Sequence, residues 1–246
     1  MMLKYYQMNL LLLFSDDFIA PGRVLLSDQR VQHLLLVKKI QLGTQLIVGL
    51  VNGRVGQGTV VALQEQQLEL LVQLDEKPVE ALAVHLILAL PRPKMLRRIL
   101  QTISAMGVKQ LSLIHSSKVE KSYWQTPWLA EDKIQQQLIA GLQQAKDTLL
   151  PEVTCYQRFK PFVEDVAPAL AAQSRAVIAH PGRGEHCAAQ LAPHVTLAVG
   201  PEGGFSDYEV DKFTQAGFSC CHLGERILRV ENVIPVLLTR LMSITQ

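Results

Sequence analysis

Residues 199–233 read VGPEGGFSDYEVDKFTQAGFSCCHLGERILRVENV, and this stretch decides the fold of the C-terminal part of the chain. It contains two glycine-marked turns, GPEGG at 200–204 and LGERILR at 223–229. Each turn follows a strand-like run, 195–199 before the first and 218–223 before the second. Open α/β sheets bind their ligands at the carboxyl ends of the strands. The stretch therefore predicts an α/β sheet with a ligand site at that edge.

A short helix is predicted between the two turns. Ser206 and Glu209 have the spacing of a capping box, and Phe205 and Val210 that of a hydrophobic staple. Gly217 is placed to end the helix. The first turn thus precedes a helix N-terminus, whose free N–H groups favour a ligand with acceptor atoms. The glycine spacing fits neither a dinucleotide-binding fingerprint nor a P-loop, and two ordinary strand-to-helix turns are the alternative.

The two turns together, GPEGGFS at 200–206 and LGERILR at 223–229, resemble the RsmE family. The segment ALPRPKMLRRILQTISAMGV at 89–108 is also similar to that family. RsmE proteins methylate N3 of a uridine in 16S ribosomal RNA with S-adenosylmethionine. The resemblance implies a C-terminal SPOUT-type α/β domain tied in a trefoil knot and an N-terminal PUA-like β-barrel. It also implies a homodimer and, as substrate, 16S rRNA or the small ribosomal subunit.

The pattern along the chain divides it into two parts. Residues 1–74 contain short strand-like runs and a hairpin turn at Asn52-Gly53, which predicts a small β-rich module. By resemblance this module is the PUA-like, RNA-binding barrel. The charges and proline of 75–78 indicate a linker. The remainder, 75–246, is then the knotted methyltransferase domain, and its apolar run at 83–90 predicts a strand buried on both faces.

Composition is that of a packed globular protein. Of 246 residues, 48% are hydrophobic and 19% charged, which argues against disorder. The four cysteines form no C-x-x-C pair, so reduced thiols and no metal site are expected. No run approaches the roughly 18 apolar residues that cross a membrane. A cytoplasmic location without a membrane partner is therefore expected.

Positive charge is concentrated in one part of the sequence. The net charge is only +2, but residues 76–129 contain eight Lys or Arg against three Asp or Glu. Such a local excess attracts phosphates. The candidate RNA-binding residues are Arg92, Lys94, Arg97, Arg98, Lys118 and Lys121. A solvated helix face with a basic loop is the alternative.

Aromatic residues occur among these cations in the loop at 116–128, which contains Tyr123, Trp124 and Trp128. Basic residues interleaved with aromatic ones can hold an unstacked base. A hydrophobic anchor for a long loop explains the same pattern, and the sequence leaves both interpretations open.

The resemblance also implies which residues form the site. Glycine turns suit cofactor binding because no side chain blocks the approach of the backbone. The implied cofactor-binding residues are Gly200, Pro201, Gly203, Gly204, Leu223, Gly224, Ile227 and Leu228, with His180 and Pro181 as lesser candidates. Arg229 is implied as catalytic, because a guanidinium can stabilise the charge that uracil gains when N3 loses its proton. Glu202 and Glu231 match the motif acids, and each either orients the base, accepts the proton or pairs with a neighbouring arginine.

Some positions depart from the family pattern. They are Ala105, Gln143, Asp147, Val230 and Asn232. Ala105, Gln143, Asp147 and the lack of cations at 8–14 favour an alternative function, a paralogue that binds RNA without methylating it, whereas the intact turns favour the enzyme.

Overall fold

A computed structural model describes residues 9–64, 66–187 and 193–242. The chain forms two compact units. The first comprises the residues up to Glu80 together with Ile139–Leu150, and the second comprises Ala81–Leu138 together with the residues from Pro151 onward. Within the described ranges, no helix is both long and apolar enough to cross a membrane.

The first unit is built on a curled half-barrel sheet. Its strands are β1 (Leu11–Leu13), β2 (Phe18–Ala20), β3 (Arg23–Leu26), β4 (Gln45–Leu50), β5 (Val55–Leu63) and β6 (Leu68–Glu76). Their order is β1-β4-β5-β6-β3-β2, in which β1 pairs with β4 in parallel and the other paired neighbours are antiparallel. The helix α1 (Gln29–His33) follows β3 and continues as a π-helical turn, Leu34–Lys38. Buried aliphatic side chains from the strands and this helix form one core.

The second unit is a parallel α/β sheet. Its strands are β7 (Leu82–Ala89), β8 (Val108–Ile114), β9 (Glu152–Tyr156), β10 (Arg175–Ala179), β11 (Glu185–His186), β12 (Val195–Val199) and β13 (Ser219–His222). Their order is β11-β13-β10-β12-β7-β8-β9, and every pair of neighbours is parallel. The predicted α/β class is therefore confirmed. The order also brings the carboxyl ends of β13, β10 and β12 next to one another.

Six helices within the described ranges connect these strands or follow them. They are α2 (Pro93–Ala105), α3 (Glu131–Ala145), α4 (Phe159–Pro161), α5 (Ala167–Ala172), α6 (Asp207–Gln215) and α7 (Val230–Leu241). A π-helical turn, Phe162–Val166, joins α4 to α5. Two 3-10 turns, Lys121–Gln125 and Pro127–Leu129, precede α3. The apolar run predicted as a buried strand is β7, whose last four residues are fully buried, as is Leu90 directly after them.

The end of α3 and the residues after it complete the first unit. Leu142 packs with Leu10 and Val55 in a second small core. The N–H groups of Asn9 and Leu10 both donate to the carbonyl of Gln143, at 3.1 Å each. One helix therefore contributes residues to both units.

The helix α6 has the predicted ends. Ser206 Oγ accepts the N–H of Glu209, and the Glu209 carboxylate accepts the N–H of Ser206 at 2.8 Å. Phe205 and Val210 are buried, and Gly217 follows the helix with φ +97°. The capping box and the terminating glycine are confirmed.

The sequence of the last helix predicts Asn232 as its N-cap residue, because asparagine is a common cap. This prediction is wrong, since α7 begins at Val230 with Arg229 as the N-cap residue. Burial of Val230 in the core fixes this earlier start, and the N–H of Asn232 donates to the carbonyl of Arg229 at 2.9 Å. Pro235 consequently lies inside the helix, where its missing N–H removes one intrahelical bond.

Candidate active site

A cavity of about 210 Å³ lies where the chain leaves β10, β12 and β13. The register of the sheet aligns Ala179 with Val199 on one side and with Cys221 on the other. The three segments that follow these residues therefore meet at one edge of the sheet. This is the edge at which parallel α/β sheets bind ligands.

Most of the residues predicted as cofactor-binding or catalytic line this cavity. They are His180, Pro181, Gly200, Pro201, Glu202, Gly204, Leu223, Gly224, Ile227, Leu228 and Arg229. Gly203 and Glu231 are not among the lining residues. The lining also includes residues that the sequence interpretation missed, namely Ala179, Val199, Cys221, His222, Arg226, Val230 and Val233. In the sequence, only their position at the end of a predicted strand or beside a predicted site residue could have indicated that they line the cavity.

The first turn is glycine-rich because its backbone is tightly packed. A Cβ on Gly200 would lie 2.9 Å from the Phe205 nitrogen, closer than real Cβ atoms come. Gly204 has φ +69°, and its N–H donates to the carbonyl of Pro201 at 2.7 Å. A Cβ on Gly204 would lie 3.8 Å from the His180 ring. The turn thus leaves backbone close to the His180 ring, on the cavity side.

The second turn has a different geometry. Gly224 has φ +102°, and its N–H donates to His222 Nδ1 at 3.0 Å. A Cβ on Gly224 would meet nothing within 4 Å, so its backbone is open to a ligand. Ile227 is 82% exposed and Leu228 is 39% exposed. The turn therefore offers accessible apolar surface beside the cavity.

His180 presents an unsatisfied polar atom at the cavity. Its backbone N–H donates to the carbonyl of Cys221 at 2.9 Å, which fixes the residue at the end of β10. Its Nδ1 is buried and has no hydrogen-bond partner among the described residues. Burial lowers the pKa of the ring, and the positive charges of Arg183 and Lys118 lower it further. A neutral imidazole with an unpartnered nitrogen fits a cavity that receives a polar ligand.

Glu202 and Arg229 reach the cavity from opposite turns. Glu202 Oε1 accepts the backbone N–H of Arg92 at 3.2 Å, so the turn after β12 contacts the residue before α2. Among the described residues, Glu202 makes this hydrogen bond and no ion pair with an arginine. The Arg229 side chain is exposed and makes no ion pair with any described residue. Its guanidinium is thus available to a ligand.

The predicted RNA-binding cations are not equivalent. Arg97 is half-buried, and its guanidinium carbon lies 4.1 Å from the centre of the Trp128 ring, a cation–π contact. Lys118 Nζ donates to the carbonyl of Gly203 at 2.8 Å. The side chains of the other four, Arg92, Lys94, Arg98 and Lys121, are on exposed residues.

The two tryptophans of the loop have intramolecular contacts. Trp128 packs against Arg97, and Trp124 Nε1 donates to His115 Nδ1 at 2.9 Å. These contacts favour the anchoring interpretation for both rings. Tyr123 donates to Glu120 at 3.0 Å within the same loop.

Two of the residues that depart from the family pattern are buried and contribute to the packing or hydrogen bonding of the fold. Val230 is buried at the start of α7. Asp147 is buried in the first unit, where its carboxylate accepts the N–H of Leu149 at 2.9 Å. Within the residues that the structure covers, no cluster of three His, Cys, Asp or Glu side chains could hold a metal ion.

This fold and this site define an RNA methyltransferase. Residues 78–242 match the sequence model of the family described as RNA methyltransferase domain, and the chain belongs to that family. Its curated relatives include Ribosomal RNA small subunit methyltransferase E of Treponema pallidum (strain Nichols), which is 27% identical over 228 residues, 90% of this chain and 86% of the relative. The protein of the same name from Synechocystis is 25% identical over 96% of this chain and 78% of the relative. The resemblance to the RsmE family is confirmed.

Solved structures show the same fold. Ribosomal RNA small subunit methyltransferase E from Neisseria gonorrhoeae, bound to S-adenosylmethionine, has a TM-score of 0.74 at 20% identity and covers 96% of this chain and 98% of its own. A protein of Legionella pneumophila solved with the same cofactor has a TM-score of 0.74 at 21% identity, covering 95% and 98%.

Proposed function

We propose that this chain transfers the methyl group of S-adenosylmethionine to N3 of a uridine in small-subunit ribosomal RNA, the 16S rRNA. The observation that carries the proposal is the convergence of both motif turns, with Glu202 and Arg229, on one cavity at the ends of β10, β12 and β13. The relatives named above support the substrate class, and two solved structures of this fold hold the cofactor.

The cofactor is proposed to bind along the backbone of the two turns. The N–H groups of Gly204 and Gly224 are already bonded, so the carbonyl groups of these half-buried residues and the unpartnered His180 Nδ1 are proposed to offer polar atoms to it. Leu223, Ile227 and Leu228 offer apolar surface. When bound, the cofactor supplies an electrophilic methyl group on a sulfonium. Holding that group in line with the acceptor nitrogen contributes a large share of the rate enhancement. Gly203 stays a predicted cofactor residue, although its own carbonyl is bonded to Lys118.

Arg229 and Glu202 are proposed to act on the base. Uracil N3 must lose its proton to become a nucleophile, and negative charge then spreads onto the carbonyl oxygens. The exposed Arg229 guanidinium stabilises that charge. Glu202 lines the same cavity and is the better placed proton acceptor, whereas Glu231, in the first turn of α7, is proposed to orient the arginine.

The RNA is proposed to contact the exposed cations of α2 and of the loop after β8. The backbone N–H of Arg92 donates to the Glu202 side chain, and Lys118 Nζ donates to the carbonyl of Gly203, both in the GPEGG turn. Phosphate groups bound by these two residues would therefore lie next to the cavity. The N-terminal module predicted at residues 1–74 is proposed as a second RNA-binding surface of PUA type. The proposed substrate also implies a cytoplasmic location.

A homodimer is proposed from exposed apolar surface on the second unit. Ile227, Leu228 and Val236 are exposed although they lie on or beside α7. A second copy of the chain would cover such surface next to the site.

The test begins with calorimetric titration of the full chain with S-adenosylmethionine. We expect saturable binding, followed by transfer of labelled methyl to N3 of a uridine in small-subunit rRNA. Saturable binding without transfer to any rRNA would instead support the RNA-binding paralogue. A folded protein that binds no cofactor would refute the proposed function.

A further inference from the structure

The carboxylate of Glu209 connects two loops that are far apart in sequence. It belongs to the first turn of α6 and is only 2% exposed. Its Oε1 accepts the N–H of Ser117 at 2.6 Å, and its Oε2 accepts the hydroxyls of Ser117 at 3.1 Å and of Ser116 at 3.3 Å. Ser116 and Ser117 lie one residue beyond the end of β8, and Ser117 precedes Glu209 by 92 residues. We call these bonds the Glu209 bridge.

Capping of α6 does not explain the Glu209 bridge. Capping of α6 is accomplished by Ser206, whose N–H and hydroxyl donate to Glu209 Oε2 at 2.8 and 2.9 Å. The serines after β8 add donors that no helix cap needs. Glu209 therefore has a second structural role, on a loop outside its own helix.

A second contact joins the same two loops. Lys118 Nζ donates to the carbonyl of Gly203 at 2.8 Å, and a Cβ on Gly203 would lie 3.0 Å from Lys118 Cδ. The residue after Ser117 thus packs directly on the GPEGG turn. Val119 is buried and its N–H donates to the carbonyl of Ser116 at 2.9 Å, so the beginning of the loop is itself ordered.

The bridge holds Glu209 as an anion. Burial by itself raises the pKa of this carboxyl, but the N–H groups of Ser206 and Ser117 and their hydroxyls bring the net pKa below its ordinary value. Hydrogen bonds to a charged group are stronger than neutral ones, and removing one partner of a buried charge is costly. The bridge is therefore a stiff connection.

We infer that Glu209 is a positioning residue, which holds the loop beginning at Ser116 against the GPEGG turn so that the Lys118 end of the RNA-binding loop and the cofactor cavity are ordered together. Binding at either place then stabilises the arrangement that the other needs. Thermodynamic linkage makes this effect reciprocal, so RNA should raise cofactor affinity and cofactor should raise RNA affinity. This consequence for ligands rests on the proposed function, whereas the bridge itself does not.

The first experiment tests the bridge without any ligand. Amide hydrogen exchange is measured on the full chain for the wild type, Glu209→Gln and Asp207→Asn. Asp207 is the matched control, since it is a carboxylate in the same helical turn with an 85% exposed side chain. We expect exchange at Ser117 and Val119, whose N–H groups are hydrogen-bonded, to accelerate by at least about ten-fold in Glu209→Gln, and not in the control, because an amide group cannot accept all the bonds that the carboxylate accepts. Unchanged exchange in Glu209→Gln would overturn the inference.

Ser117→Ala separates positioning from capping and also serves if Glu209→Gln does not fold. It removes one donor of the bridge and leaves the Ser206 cap intact. We expect faster exchange in the loop, with protection of α6 as in the wild type. Ser206→Ala should do the reverse. The same loss in both variants would reduce Glu209 to a helix cap and overturn the inference.

The second experiment measures coupling. The affinity for S-adenosylmethionine is determined with and without small-subunit rRNA. We expect RNA to raise the affinity of the wild type on the order of ten-fold, and to have little effect in Glu209→Gln. Equal coupling in the two proteins would overturn the inference. A wild type that binds no cofactor would refute the proposed function instead, and the exchange experiment would still decide whether the bridge exists.

Discussion

Arg229 has two roles within one residue. Its backbone begins α7, with its carbonyl accepting the N–H of Asn232, while its side chain lines the cavity. The buried Val230 that follows fixes the start of the helix and therefore the place from which the guanidinium extends. The two substitutions of the family pattern here, Val230 and Asn232, leave this arrangement in place.

Replacing Arg229 by alanine should abolish methyl transfer and spare cofactor binding. The guanidinium is expected to act on charge that develops only in the transition state, so its removal should lower the rate constant for transfer by at least about 100-fold. Transfer kinetics with saturating cofactor and calorimetric titration measure the two effects separately. Arg229→Lys keeps the charge without the planar fork and should retain part of the rate. A fully active alanine variant would remove Arg229 from the chemistry.

His180 should make cofactor affinity sensitive to pH in one direction. Because burial and nearby cations lower its pKa below the ordinary 6.5, more than half of the rings are neutral at that pH. Protonation at lower pH adds positive charge where a cationic cofactor is proposed to bind. Affinity for S-adenosylmethionine should therefore be highest in neutral and alkaline buffer and fall as the pH drops through the lowered pKa. His180→Gln should flatten the profile, and an unchanged profile in that variant would assign the fall to another group.

At the scale of elements, the two glycine turns owe their sequence to different constraints. Gly200 is required by packing, since a Cβ would meet the backbone of Phe205. Gly224 is required by conformation, since its φ of +102° disfavours any other residue although space is free. The first turn is therefore part of the core, and the second is a shaped and accessible loop.

Gly224→Ala should weaken cofactor binding beyond its effect on stability. The strained φ costs about 1 kcal/mol, which displaces the turn from the shape that the ligand needs. Gly182→Ala is the matched control, because Gly182 has φ +77°, equal freedom from contacts and no place in the cavity lining. Both variants should lose similar thermal stability. Calorimetric titration should show a loss of affinity of roughly ten-fold for Gly224→Ala alone, and equal affinities would show that the second turn does not bind the cofactor.

Charge on α2 is the second property that belongs to an element. Arg98 is exposed, whereas its neighbour Arg97 stacks on Trp128. Arg98→Glu should thus weaken RNA binding without unfolding the protein, and the loss should shrink as salt is raised. Arg97→Glu should lower the melting temperature as well. Equal RNA affinity for Arg98→Glu and the wild type at low salt would show that Arg98 is a solvated surface residue that does not bind RNA.

For the whole molecule, the near-neutral net charge of +2 means that RNA affinity must come from local surfaces rather than from the overall field. Self-association is a second property of the whole molecule. An exposed apolar surface beside the cavity is expected to be covered by a second copy of the chain, which places part of the site at an interface.

Val236→Glu should therefore convert the proposed dimer into a monomer. A buried charge at an interface is costly unless it is paired. Val79→Glu is the control, since Val79 is also an exposed apolar residue but belongs to the first unit. Sedimentation equilibrium measures the mass of each variant. A wild type that is already monomeric, or a Val236→Glu variant that stays dimeric, would refute this interface.

The sequence by itself determined the features that depend on neighbouring residues. The capping box at Ser206 and Glu209, the apolar run of β7 and the two glycine turns are local signals, because their partners lie within a few positions of one another. Together they predicted the α/β class and a ligand site at the ends of the strands, and the resemblance of the two turns to the RsmE family implied most of the residues that line the cavity. Only the tertiary structure decided which distant residues meet: Lys118 with Gly203, Ser117 with Glu209, and the end of α3 with the first unit. These contacts follow from the order of the strands in the sheet. Many strand orders would pair similar apolar runs equally well, so only the packing of the whole chain selects the observed order.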